Sequence, residues 1–181
     1  MRRLTLSKIP VLILVGALVW GPAACRRKEK VRVEATDETA PTIASQVNVA
    51  DPKAAPQLLK GFHDPEQNAW RWTKGKFSVT LRPPANAAAK GAALVVKFSI
   101  PEVLIQRLHA MTLSANVNGA AMAGETYTKP GDQVYLKDVP ASALARDAVT
   151  VEFSLDKYLA PGALDQRELG IVVSSIGLEA K

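Results

Sequence analysis

Two short runs of residues have the types and spacing to do chemistry. The first is Trp70-Arg71-Trp72. On a β-strand, residues two apart face the same way, so the two indoles would share one face. An exposed aromatic face of that kind can stack on the apolar C–H face of a sugar ring, with Arg71 beside it as a hydrogen-bonding fork. The competing expectation is that one or both tryptophans cap the open end of a core, since an aromatic side chain buries about 150–250 Å². The second run is Asp165, Arg167 and Glu168. These charges either receive a polar ligand, or Arg167 forms a bidentate pair with a carboxylate and locks its own loop. If that loop meets the tryptophans in space, aromatic and polar groups converge on one site.

Other chemistries find little support. His63 and His109 are the two histidines and stand far apart. His63-Asp64 with Glu66 reads as a polar loop rather than a metal site. There is no G-x-S-x-G elbow, no H-E-x-x-H and no phosphate-binding glycine loop. Glu152 and Asp156 lie four strand positions apart, about 13 Å, beyond the carboxylate separation of about 5–9.5 Å that glycosidases use. No basic stripe interleaved with aromatics points to nucleic acid. The expectation is a non-catalytic protein with no metal, no cofactor and no nucleic-acid partner.

The elements that must position the two runs read as strands. Phe77, Val79 and Leu81 alternate with Ser78 and Thr80. Leu94, Val96, Phe98 and Ile100 share one phase, and Val95, Lys97 and Ser99 the other. Leu113, Ala115 and Val117 lead into Asn118-Gly119, a strong hairpin signal because both residues tolerate positive φ. A return strand is expected over 121–128, a turn at Lys129-Pro130-Gly131-Asp132, a short strand over 134–137 and another through Val149, Val151, Phe153 and Leu155. In the last segment Leu169, Ile171 and Val173 share one phase, while Ile176 and Leu178 share the opposite one. A β-bulge near Ser174-Ser175 would bring both sets into one core; the alternative is that Val172 joins the second set and both faces are partly buried. Brief helical turns are expected within 102–111 and 141–146. The fold class is all-β: an antiparallel, jelly-roll-like β-sandwich of seven to eight strands over residues 61–181.

The front of the chain is organised differently. Arg2, Arg3 and Lys8 precede the apolar run 9–20 and the small residues before Cys25. That order is the secretory pattern. The apolar run is about 12 residues, or about 18 Å as a helix, whereas a membrane span needs roughly 20. Cys25 is the single cysteine, so no intramolecular disulfide can form. Ala23-Ala24-Cys25 in this setting resembles the lipobox of bacterial lipoproteins. The resemblance implies a signal peptide over 1–24, a diacylglycerol group on the Cys25 sulfur and a tether over 25–60, in which Pro41, Pro52 and Pro56 break regular elements. Two or three acyl chains hold a protein firmly at a bilayer. Arg26, Arg27, Lys28 and Lys30 either add attraction to anionic lipid or are simply solvated charge. An ordinary signal with an incidental cysteine, or a retained anchor, are the alternatives. An extra edge strand within 26–60 also stays open. Loss of residues 1–24 would remove three bases and no acid, leaving twenty bases against seventeen acids, a balance suited to solubility rather than to a polyanion.

The domain carries a second resemblance. Gly61-Phe62, Pro65-Glu66, Trp70-Arg71-Trp72-Thr73, Val117-Asn118-Gly119, the run from Asp165 to Ile171 and Ser175-Ile176-Gly177-Leu178 together resemble a β-sandwich module found beside bacterial glycosyltransferases and other cell-surface polysaccharide proteins. Such modules are similar to carbohydrate-binding jelly rolls. The likeness implies a non-catalytic domain with a glycan connection. The expected whole is a lipid-anchored protein of the bacterial cell envelope, at the inner or outer membrane with its domain outside the cytoplasm. Its partners would be the membrane, through Cys25, and an envelope glycan contacted by Trp70, Arg71, Trp72, Asp165, Arg167 and Glu168. The alternative is a protein-interaction lipoprotein of an envelope assembly with no sugar ligand.

Overall fold

The structure is a computed structural model that describes residues 42–163 and 165–181. Cys25, the basic cluster after it and the expected signal peptide lie outside the described residues.

The strands are β1 (Gln46–Asn48), β2 (Leu58–Glu66), β3 (Trp70–Leu81), β4 (Ala92–Ile100), β5 (Met111–Val117), β6 (Ala120–Tyr127), β7 (Gly131–Val139), β8 (Val149–Leu155) and β9 (Val172–Ala180). They form one hydrogen-bonded path, β6-β5-β8-β3-β9-β4-β7, with β1 added to β9 and β2 added to β3. All the pairings are antiparallel. The architecture is an antiparallel β-sandwich, closed almost to a barrel. Strand β3 makes it continuous. Its second half, Lys76–Leu81, pairs with β8, while Arg71 and Trp72 pair with β9. One long strand therefore serves both layers.

Alternation explains the core. Phe77, Val79, Leu81, Leu113, Val117 and Val151 from one layer meet Leu94, Val96, Ile100, Tyr135, Val173 and Ile176 from the other, all buried. Within the core Phe77 stacks on Phe153 at 4.7 Å and makes a T-shaped contact with the partly buried Phe62 at 5.5 Å. The β5–β6 turn has positive φ at both Asn118 and Gly119, the conformation expected for that dipeptide. The bulge in the last strand is present. Lys97 pairs with Ser175 and Phe98 with Val173, leaving Ser174 as the extra residue, and its hydroxyl donates to the Lys97 carbonyl at 3.0 Å. Ile171 and Val173 on one side of it, and Ile176 and Leu178 on the other, all reach the core.

The domain begins earlier than residue 61. β1 pairs with β9 from Gln46 to Asn48, and Pro52–Gln57 form a 3-10 turn with Ala54 and Gln57 buried. The Gln57 amide bridges Ala44 and Thr80. Residues 46–60, expected as the end of a tether, are thus part of the sandwich. Pro52 does not break this segment, because at the first position of a turn the missing N–H costs no hydrogen bond. β2 escapes an alternation test for a related reason. Its ladder with β3 shifts register three times, so its apolar residues keep no period. One shift is at Gly61, where φ is +78° and a Cβ would fall 2.1 Å from the Lys76 carbonyl oxygen; only glycine fits there. β7 is also longer than the short strand expected over 134–137. Short helices occupy α1 (Ala87–Lys90) and α2 (Glu102–Leu108), with a second 3-10 turn at Ala141–Leu144.

Candidate functional site

An open groove of about 840 Å³ lies on the outer face of the layer formed by β7, β4, β9 and the start of β3. That size falls within the range of about 300–1,000 Å³ common for small-ligand sites. Trp70 and Trp72 form its β3 wall, and Val172 and Ser174 of β9 lie beside them. Lys97 and Ser99 of β4 continue the floor toward β7, where Asp132, Gln133 and Val134 close the far side. The order follows from register: Trp72 is opposite Val172, Val172 opposite Ser99 and Ser99 opposite Asp132. Three strand spacings of about 4.8 Å make the row about 14 Å long.

Both tryptophans are half-buried. They share one face and line one groove. Trp72 also packs against the edge of the core, so it is both a support and a surface. The apolar character continues outward, for Val134 is 51% exposed and Leu136, two residues along the edge strand β7, is 57% exposed.

Arg71 does not join the tryptophans. It has the opposite phase on β3, and its guanidinium donates to the backbone carbonyls of Val49 and His63, the latter at 2.9 Å. It fastens the segment after β1 and the middle of β2 onto β3. A side chain committed to two carbonyls on the other phase of the strand is a clamp, not a fork for a ligand in this groove.

Asp165, Arg167 and Glu168 likewise act on the loop that carries them. Arg167 is held by Asp165 at 2.9 Å and by Glu66 at 2.8 Å. Hydrogen bonds from Arg167 hold the Asp165 carboxyl below its ordinary range, and the two carboxylates raise the Arg167 guanidinium further above its own. Glu168 accepts from the Gly75 N–H at 2.7 Å, while its carbonyl meets the His63 ring at 2.7 Å. The loop therefore does meet the tryptophan-bearing hairpin, and one of its partners there reaches the groove. Glu66 binds Arg167, pairs across the β2–β3 ladder with Trp70 and lines the groove. The three loop charges themselves are not among the residues lining it.

Glu66, Lys97, Ser99, Asp132, Val134 and Val172 were not singled out from sequence. One signal was available. Val172 is an apolar residue in the outward phase of an otherwise alternating strand, and Val134 and Leu136 repeat that departure on β7. Among the described residues no group of three His, Cys, Asp or Glu side chains is placed to hold a metal ion. Among them too, no helix is long and apolar enough to cross a membrane.

No protein-family model matches the chain, and no curated protein matches it. Solved structures are similar to it, among them the three that follow. The CBM36-1 domain of a multidomain xylanase from the hindgut metagenome of Trinervitermes trinervoides shares 9% identity over 75% of this chain and 96% of that one, with a TM-score of 0.41. A family 35 carbohydrate binding module from an environmental isolate shares 18% identity over 80% and 90%, with a TM-score of 0.39. A Clostridium perfringens structure containing CBM51-2 in complex with GlcNAc shares 11% identity over 76% of this chain and 29% of that one, with a TM-score of 0.35.

Proposed function

We propose that this is a non-catalytic, lipid-anchored protein of the bacterial cell envelope, and that its β-sandwich binds an envelope glycan in the Trp70–Trp72 groove. The observation that carries this reading is the pair of half-buried indoles on one wall of an open groove with a mixed apolar and polar floor. Pyranose rings present that same mixture: C–H faces for stacking and hydroxyl edges for Ser99 and Ser174. Anchorage through Cys25 rests on the sequence of the N-terminal segment. A glycan array probed with the native chain and with the Trp70→Ala/Trp72→Ala double variant tests the binding. Binding lost in the variant supports the reading, and a binding profile unchanged by it removes these anchors.

A second reading is favoured by one observation. The exposed Val134 and Leu136 stand on β7, whose backbone is paired on one side only. Its other side faces β6 without a backbone ladder, bridged by Lys137–Glu125 and by the Tyr127 hydroxyl on the Val134 carbonyl, and a strand edge of that kind with apolar side chains suits addition of a strand from a protein partner. Pull-down from solubilised membranes with a Leu136→Lys variant as control separates this reading from the first, because Leu136 lies outside the groove lining.

A further inference from the structure

Of the charged side chains lining the groove, Glu66 is the one that strand register sets directly opposite a tryptophan, Trp70. Cross-strand partners share a sheet face, with Cβ atoms about 4.5–5.5 Å apart. The hairpin between the two turns through Gln67, Asn68 and Ala69, with left-handed backbone at Gln67 and Asn68. An indole and a carboxylate are thus immediate neighbours at the β2–β3 end of the groove. The carboxylate is oriented by a network built on the 165–168 loop. Arg167 donates from Nε and Nη2 to Asp165, at 3.1 and 2.9 Å, and from Nη1 to Glu66 Oε1 at 2.8 Å. The Arg167 backbone N–H also donates to Asp165, at 2.8 Å. The planar fork is therefore fixed by Asp165 and aimed at Glu66. Among the described residues Glu66 Oε2 accepts no hydrogen bond. One oxygen is fastened and the other is left to a ligand. The loop does not need this link to stay in place, because Glu168 already ties it to Gly75 and His63.

Taking the glycan-binding reading as its premise, we infer that Glu66 selects the ring that stacks on Trp70, and that Arg167 is its positioning residue. Glu66 Oε2 accepts from a hydroxyl on the edge of that ring. A carboxylate only accepts hydrogen bonds, so this end of the groove takes a ring whose edge donates, as a neutral hexose does. It disfavours a ring that presents a carboxylate of its own, as a uronic acid does. The link to Arg167 removes in advance the rotamer freedom that a Glu side chain would otherwise lose on binding.

The test is calorimetric titration of the full chain with two hexasaccharides, neutral cellohexaose and acidic hexagalacturonate. Cellohexaose should bind the tighter of the two. Glu66→Gln should weaken it about tenfold, the scale of a hydrogen bond to a charged group, and narrow the gap to hexagalacturonate. Arg167→Ala should weaken cellohexaose about threefold, and Arg167→Lys should restore part of that loss. In the Glu66→Gln background Arg167→Ala should cost nothing more, a coupling that a purely structural role for Arg167 would not produce. Cellohexaose affinity unchanged in Glu66→Gln but lost in Trp70→Ala/Trp72→Ala overturns the selector and leaves glycan binding in place. An Arg167→Ala loss that persists beside Glu66→Gln overturns the positioning role. Hexagalacturonate bound as tightly as cellohexaose overturns the selection, and binding of neither sugar removes this inference, while the glycan array decides the reading beneath it.

Discussion

The sandwich has two outer faces, and they differ. On strands β5 and β8, the outward positions are Ser114, Asn116, Thr150, Glu152 and Ser154, a polar surface. A smaller hollow there, about 480 Å³, is lined by polar residues such as Ser114, Asn116 and Ser154 together with Ala121 and Met122, and carries an exposed Lys60–Glu152 pair at 3.6 Å. On the layer formed by β3, β9, β4 and β7, the outward positions include Trp70, Trp72, Val172, Val134 and Leu136. Both faces lie one strand's thickness from the same core, so folding asks the same of each. Only one keeps to the alternation of a half-solvated antiparallel sheet. A cluster of exposed apolar side chains that the fold does not require is the mark of a contact surface. The difference between the faces therefore locates the site better than any single motif does.

The sharpest way to break the comparison is to disturb what both faces share. Phe77 is fully buried between Phe62 and Phe153, so Phe77→Ala should cost about 3–5 kcal/mol and damage both faces together, read as a fall in the denaturation midpoint. The Trp70→Ala/Trp72→Ala variant should separate them, with glycan affinity falling at least about tenfold, as when a central aromatic anchor is truncated. Its melting temperature should fall modestly, through the part of Trp72 that packs on the core. Next is Arg167→Ala, which cuts the link from the 165–168 loop to Glu66 at the groove rim. Its side chain is 39% exposed, so the stability loss should stay near about 1 kcal/mol.

Acid should act on the Arg167–Asp165 pair within that loop. The folded Asp165 carboxyl titrates below the ordinary 3.8 because of the Arg167 hydrogen bonds. A depressed carboxyl contributes stability above its unfolded pKa and loses it as pH falls through the folded value. The loop fastening should hold at pH 5 and loosen below about pH 4, followed by the Arg167 Nε–H resonance. Smallest of all should be Ser114→Ala, Thr150→Ala or Ser154→Ala on the polar face: within about 0.5 kcal/mol in stability and no change in glycan binding. A binding loss there would put the site on the wrong face.

Much of this was legible in the chain because alternation reports burial directly. Phe77, Val79 and Leu81 and the Asn118-Gly119 turn follow from local pattern alone, and the bulge at Ser174 is one of the two solutions that the phase change in the last segment allows. The fold class follows with them. β1 and β2 were not legible, since β1 has three residues and β2 is reset by bulges at each few steps. Arg71 shows a different obstacle. Its neighbours in sequence are the tryptophans, but its partners, Val49 and His63, come from segments whose placement no local spacing reveals. A lock through Arg167 is one of the options the sequence offers, yet its link to the groove passes through Glu66, about a hundred residues away along the chain.

The measurement closest to the central claim is chemical-shift mapping with a bound glycan strand. The indole N–H signals of Trp70 and Trp72 and the amides of Ser99, Val172 and Val134 should shift together along one saturation curve, while Ser114, Asn116 and Ser154 stay fixed. Shifts confined to the polar face, or spread evenly over both, would contradict the account.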